Sequence, residues 1–299
     1  MKNKLPLVFI STLVASVAHA KSESLIFPSD EECRAVYTEL KDSITPHQLS
    51  ELYEMSSSAI GYSAFRYLTG RDSIFIDLKK QYGETVYSNT LDEIKKKLDD
   101  DQVKYWTEFG RYKESILAKR KKKFLGGNPG LGAKAHKITI CNAALVYRNV
   151  NVDASTYASI TKINPRAGRF GHFDISVKSC SIGSLVGTKN KYSEPSQWEG
   201  SRFVVLDARF RNVDKEGRLP SEGSLIIKTS SGDELRYDNT ETIMQEGYGI
   251  YFKSVNPLVT MPTKIVYRIP TEIEGEILWE PGRNDEGKRL WCAFVSPED

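Results

Sequence analysis

One stretch of the chain has residue types that could hold phosphate: KRKKKFLGGNPGLGAKAHK, residues 119–137. Five consecutive basic residues, Lys119, Arg120, Lys121, Lys122 and Lys123, run into a glycine-rich segment. A phosphate loop of the form G-x-x-x-x-G-K-[ST] uses backbone N–H groups, a lysine and a hydroxyl on Mg²⁺, all set between a strand and a helix. Gly127 and Gly132 have that separation, but Ala133 stands where the lysine belongs and Lys134 comes one place late. Ala135 then offers no hydroxyl, and the segment follows a helical pattern rather than a strand. GGNPGLGA therefore reads as a flexible joint. The basic run reads as a solvated helix end, where cations complement the negative end of the helix dipole. Contact with anionic lipid is the alternative reading, since each basic residue near a charged surface contributes ~1 kcal/mol.

Other chemistry is sparse. Outside the N-terminal leader the histidines are His47, His136 and His172, and none stands in an H-E-x-x-H or H-x-H arrangement. No G-x-S-x-G elbow, S-x-x-K set or calcium loop of D-x-[DN]-x-[DN]-G form occurs. Asp99-Asp100-Asp101 lies on a helical pattern, where consecutive residues point to different sides and make no carboxylate pair. No catalytic residue, metal ligand or cofactor-binding residue is singled out, and no cofactor is expected. The four cysteines, Cys33, Cys141, Cys180 and Cys292, include no C-x-x-C. An even count in an oxidising compartment points to disulfides, with three connectivities open, and reduced buried thiols are the alternative.

The compartment is read from the first twenty residues. MKNK is followed by LPLVFISTLVASVA and then by Ala18-His19-Ala20, the order of a secretory signal peptide cut after Ala20. The apolar run is shorter than the ~20 residues a bilayer span needs. No later stretch is apolar enough to span, so a periplasmic or secreted protein is expected. Removing Lys2 and Lys4 leaves 42 − 2 = 40 basic residues against 39 acidic ones. So balanced a chain has no global field to draw it to nucleic acid.

The 299 residues suit about two domains. Residues 21–125 read as a helical domain. Ser29-Asp30 caps a first helix, Pro46 suits the first position of a second that Gly70 stops, and Asn89 or Thr90 caps the longest. There Leu91, Ile94, Leu98, Trp106, Phe109, Ile116 and Phe124 form one apolar stripe, expected to pack on neighbouring elements. Residues 126–136 are the glycine-rich linker, and 137–169 a connecting segment readable as strand or short helix. Residues 170–299 read as an all-β sandwich. FDISVKSCSIGSLVG, SRFVVLDARFRNV, SLIIKT, ELRYDN, GYGIYFKSV, TKIVYRIP and GEILWEP follow one another with turn residues between. Period-two spacing nominates a core of Val204, Leu206, Ala208, Phe210, Leu225, Ile227, Ile250, Phe252, Ile265, Tyr267 and Ile269. The fold class is thus α+β multidomain, helices followed by an immunoglobulin-like sandwich. Tyr248, Tyr251, Trp279 and Trp291 gather in the last third; most suit a core, and those facing out would form a binding patch.

The β half resembles a bacterial extracytoplasmic domain of unknown function with a telokin-like immunoglobulin fold. The features that carry the resemblance are the strand ISVKSCSIG, the strand RFVVLDARFRN ending at Asn212, and the turn Ser231-Gly232-Asp233-Glu234-Leu235-Arg236-Tyr237. With them come Asn256-Pro257-Leu258 and the strand Val266-Tyr267-Arg268-Ile269-Pro270. Leu258 departs from the glycine usual at that step. The resemblance covers about residues 170–295 and implies a fold, with no activity attached. In such a sandwich the first and last strands lie near each other, which implies Cys180–Cys292 and leaves Cys33–Cys141. By analogy of fold the expected function is a non-enzymatic module binding another envelope or secreted protein. The alternatives are an envelope hydrolase with a site at the domain joint, pairing His136 or His172 with an acid, and attachment to anionic surfaces through Lys119–Lys123.

Overall fold

The computed structural model describes residues 29–43, 66–70, 76, 79–80, 83–84, 86–125, 141, 162–250, 253–282, 284 and 287–297. The leader, the joint at 126–136, His47, His136, Tyr251, Phe252 and the side chains of Lys121 and Lys123 lie outside the described residues. The chain divides into two units: residues 1–96 with 121–152, and residues 97–120 with 153–299.

In the first unit, helix α1 (Asp30–Ser43) starts at a reciprocal cap. Glu32 N–H donates to Ser29 Oγ at 3.2 Å, and Ser29 N–H donates to Glu32 at 2.6 Å. Cys33, buried on this helix, is bonded to Cys141, as expected. Helix α2 (Val86–Lys97) carries Asp92, which accepts from Tyr67 and pairs with Lys79. Gly70, with φ +76°, follows a helical turn at 66–68 and donates to Tyr67 O, the stop its sequence position suggested.

The longest helix expected from Asn89 or Thr90 is in fact two. Both residues lie inside α2, and a new helix, α3 (Asp100–Leu125), begins after a break at Leu98-Asp99. The break has a cause. Asp99 and Gln102 form their own reciprocal cap, with bonds of 2.9 and 3.0 Å. Asp100 and Asp101 then occupy the positive first turn. The grouping of all helices in 21–125 also gives way: Lys97–Arg120 belongs with the β half.

That half is two four-stranded antiparallel sheets. One has the order β1 (Ala167–Phe170), β2 (Phe173–Gly183), β3 (Ser201–Asn212), β6 (Thr260–Pro270). The other has β5 (Glu234–Tyr237), β4 (Ser224–Lys228), β7 (Gly275–Glu280), β8 (Leu290–Val295). Strands β2 to β8 thereby follow the chain crossing of an immunoglobulin sandwich, the chain passing between sheets from β3 to β4, from β5 to β6 and from β6 to β7. Every described member of the nominated core is buried in one cluster between the sheets. Trp279 anchors it, donating Nε1–H to Glu222 O at 2.8 Å.

Two expectations are corrected. The described residues of GYGIYFKSV form no strand; Tyr248 and Val255 make isolated bridges, and around Tyr248 Gly247 and Gly249 take φ of +87° and +64°, which breaks an extended run. The sandwich also opens earlier than residue 170, with the edge strand β1. A bulge between Val177 and Ser179 sends Lys178 and Ser179 outward and turns Cys180 to the core. A register shift opposite Ile277 and Leu278 does the same for Cys292 in β8. The two sulfurs meet as the Cys180–Cys292 disulfide.

The outer face of β4–β7–β8 is covered by α3. Tyr105 and Phe294 pack against Ile226, Leu278 and Trp291. Helix α3 packs on the sandwich through Tyr105, Phe109 and Tyr112, of which Phe109 alone belongs to the stripe expected from sequence. At the turn before β6, Leu258 holds φ +61°. A side chain in the left-handed region costs ~1–2 kcal/mol, which glycine would not incur.

Candidate interaction face

The outer face of β3 and β6 is not left bare at its Phe203 end. Phe203, Val205 and Val266 project there and are covered by Val186, Ile243 and Tyr248 from two loops. The first loop joins Gly183 to Ser201 and is longer than the ~12–15 residues beyond which a structureless connection is usually functional. The second follows β5 and runs through residues 241–249.

The first loop is built around one carboxylate. Glu194 accepts from the N–H groups of Val186, Gly187 and Thr188 at 2.5, 3.1 and 2.8 Å, and from the Thr188 hydroxyl at 2.8 Å. Burial pushes the Glu194 carboxyl up, but the donors from Thr188, Gly187 and Val186 outweigh it and hold it below its ordinary value. Asn190 caps a single 3₁₀ turn at Lys191–Ser193, its side chain accepting from Tyr192 N–H at 3.0 Å. The second loop is tied to the first: Asn190 N–H donates to Gln245 Oε1 and Ser193 Oγ donates to Met244 O, both at 3.3 Å. Arg268 secures the far end. Its guanidinium lies 4.0 Å from the Trp198 ring centre and 4.6 Å from that of Phe203. It donates to Glu241 at 2.7 Å and to Ser196 O at 2.8 Å.

On this fixed frame sit large apolar side chains that stand exposed among the described residues. Tyr192 is 98% exposed, Met244 82%, Trp198 63% and Leu185 58%. Beside them is an open hollow of about 620 Å³ lined by Lys189, Asn190, Gln245, Tyr248 and Lys264, with Lys264 Nζ 5.3 Å from the Tyr248 ring centre. Tyrosine, tryptophan and methionine are the residues that interfaces enrich, and fixed loops lower the entropy lost on binding.

No protein-family model and no curated protein sequence matches the chain. Among solved structures, the chain is similar in fold to an uncharacterized β-sandwich protein from Clostridium difficile. The TM-score is 0.33 and the identity 11%, over 44% of this chain and 91% of that one. A "putative lipoprotein" from Bacillus subtilis is matched with TM-score 0.31 and 8% identity, over 46% of this chain and 40% of that one. A conserved hypothetical protein from Bacillus anthracis is matched with TM-score 0.28 and 17% identity, over 42% and 91%. The β half is a sandwich by its own strand order, and these likenesses speak of fold alone.

Of the four aromatic residues singled out from sequence, Tyr251 lies outside the described residues and the other three do not make an exposed patch. Trp279 and Trp291 are fully buried, one in the core and one beneath Tyr105, and Tyr248 is buried under the loops. The patch belongs instead to Tyr192 and Trp198. Their signal was present as aromatics within a Gly-, Ser- and Pro-containing loop, SLVGTKNKYSEPSQWEG, that breaks strand alternation. Of the basic run, Lys119 donates to Pro297 O, while Arg120 and Lys122 are exposed. His172 does meet an acid, Asp214, at 2.8 Å. That pair sits at an exposed turn, where Arg218 also binds Asp214 and holds its carboxyl below the ordinary value. Among the described residues no group of three His, Cys, Asp or Glu could hold a metal ion. No helix among them is long and apolar enough to cross a membrane.

Proposed function

We propose that this chain is an extracytoplasmic, non-enzymatic accessory module that binds another envelope or secreted protein through the Tyr192–Met244 face. The observation that carries the reading is the pairing of near-complete exposure with a rigid mount. Tyr192 and Met244 are the two most exposed large apolar side chains among the described residues, and their loops are hydrogen-bonded to each other. An exposed apolar cluster on a preorganised frame is the anatomy of a protein-binding hot spot. The leader-like first twenty residues and two disulfides support a site of action outside the cytoplasm.

The test is site-specific photo-crosslinking in the producing cell, with the crosslinker at position 192 and, as a control, at Lys228 on the opposite sheet. The expected result is one recurrent protein captured from 192, absent from 228, and lost when Met244→Ser is added. Equal capture from both positions, or none from 192, refutes the reading.

A further inference from the structure

The other end of the same sheet carries a second, chemically different surface. Past Val205 and the half-buried Asp207, which does not line the groove described next, β3 is basic on its outer side, with Arg209 and Arg211 exposed. Across the sheet, Arg211 faces Asp174 in β2, and Asp174 faces Arg169 in β1. In the opposite direction Arg211 faces Thr260 in β6. Arg209 faces Ser176 in the next rung. An open groove of about 520 Å³ crosses all four strands over these residues, its floor kept low by Ala167 and Gly168. With strands ~4.8 Å apart, the rung from Arg169 to Thr260 is about 14 Å long.

The charge in the groove is one-sided. Asp174 is paired with Arg169. Arg209 and Arg211 have no ion pair among the described residues, so two guanidiniums face the groove with donor forks unmatched by acid. At the Thr260 end lies the strained turn. Leu258 is the one non-glycine residue among those described with positive φ, and it is 68% exposed, with Val259 beside it at 49%. Its conformation is held by two backbone bonds: Leu258 N–H donates to Asn212 O at 2.9 Å, and Asn212 N–H donates to Val259 O at 3.1 Å. A glycine would fit that backbone without strain. The leucine side chain packs no core, so the strain presents an apolar group to solvent.

We propose that this groove binds an extended acidic peptide segment of a partner protein that carries an apolar side chain. Its carboxylates meet Arg209 and Arg211, and its apolar residue rests on Leu258 and Val259. Charge complementarity selects an anion, and the apolar pair at the groove's end selects a peptide over a phosphate polymer or anionic glycan, which would leave that pair uncovered. Ser176 and Thr260 hydroxyls are placed to bond its backbone. The inference is independent of the Tyr192 face and can fail separately.

The experiment is fluorescence anisotropy on the full mature chain with a fluorescein-labelled eight-residue peptide of alternating glutamate and leucine. Saturable binding is expected. Arg209→Glu/Arg211→Glu should weaken it at least tenfold, and so should glutamine for glutamate or serine for leucine in the peptide. Leu258→Gly should weaken binding about fivefold while raising the Tm, a split that a merely structural leucine would not give. No saturable binding, or binding indifferent to the arginine variant, overturns the proposal. Inorganic polyphosphate binding as tightly as the peptide and unaffected by Leu258→Gly overturns the assignment to a peptide.

Discussion

Phe294→Ala tests whether α3 is an integral layer of the β half. The Phe294 ring lies 5.2 Å from Tyr105, 5.4 Å from Phe109, 5.3 Å from Tyr112 and 6.0 Å from Trp291, centre to centre. Three of these four neighbours are on the helix. Truncating a fully buried phenylalanine costs ~3–5 kcal/mol. Phe294 is half-buried, which brings the packing loss to roughly 2 kcal/mol. Edge-to-face pairs add ~0.5–1.5 kcal/mol each when counted singly, and less in a shared cluster. The expected loss is therefore about 2–4 kcal/mol. Urea unfolding followed by tryptophan fluorescence would read it, since Trp106 and Trp291 flank the cluster. Trypsin should also cut at Lys104, Arg111 and Lys113 sooner than in the parent. Leu235→Ala, on an exposed edge strand, is the control and should change stability by no more than about 0.5 kcal/mol. A Phe294→Ala loss as small as the control's, with cleavage of α3 unchanged, would refute the seating of the helix on β4–β7–β8.

Glu276 lies on that same seat, bonded to Tyr105, with its Oε1 buried and without a partner among the described residues. Burial raises its carboxyl, opposed by the Tyr105 hydroxyl and by Lys228, so its contribution is full below ~4.3 and is lost as pH rises through the raised folded value. The stability advantage of Glu276→Gln over the parent, read by urea unfolding, should therefore grow from pH 4 to pH 8; a flat or falling difference contradicts it. The Cys180–Cys292 bond closes a loop of sequence separation 112, so Cys180→Ala/Cys292→Ala should lose up to about 5 kcal/mol on the chain-entropy account. Non-reducing peptide mapping should recover both pairs, and four free thiols in exported material would contradict the assignment. Glu194→Ala leaves three loop N–H groups without their acceptor and should accelerate hydrogen exchange at Val186, Gly187 and Thr188 while leaving β3 unchanged; unaltered exchange would show that the carboxylate does not hold the loop.

The sandwich was legible because its strands alternate. Val204, Leu206, Ala208 and Phe210 point one way and fill the core, as period two requires. Where alternation failed, the cause was physical. Ile277-Leu278-Trp279 in β7 and LWCAFV in β8 are apolar on both faces because one face is buried in the core and the other under α3. That double burial could have warned that the Trp279 and Trp291 rings were enclosed. The four residues of β1 include a glycine and an arginine and pair with one neighbour, too little pattern to show. The α2–α3 break was hidden because the capping Asp99 stands in a run of acids that reads as continuous helix surface. The Tyr192 face was missed since exposure in a long loop depends on where Glu194 folds it, and no spacing rule encodes that.

The disulfide between the second strand and the last has a mechanical meaning. Tension applied across the sandwich, entering before β2 and leaving after β8, passes through the sulfur–sulfur bond. Strands β3 to β7 hang outside the load path like a loop of rope beyond a knot. Such a module yields only the residues before Cys180 and after Cys292, so the Tyr192 face, carried inside the closed loop, keeps its shape under load, whereas the groove over β1 and the start of β2 lies in the load path.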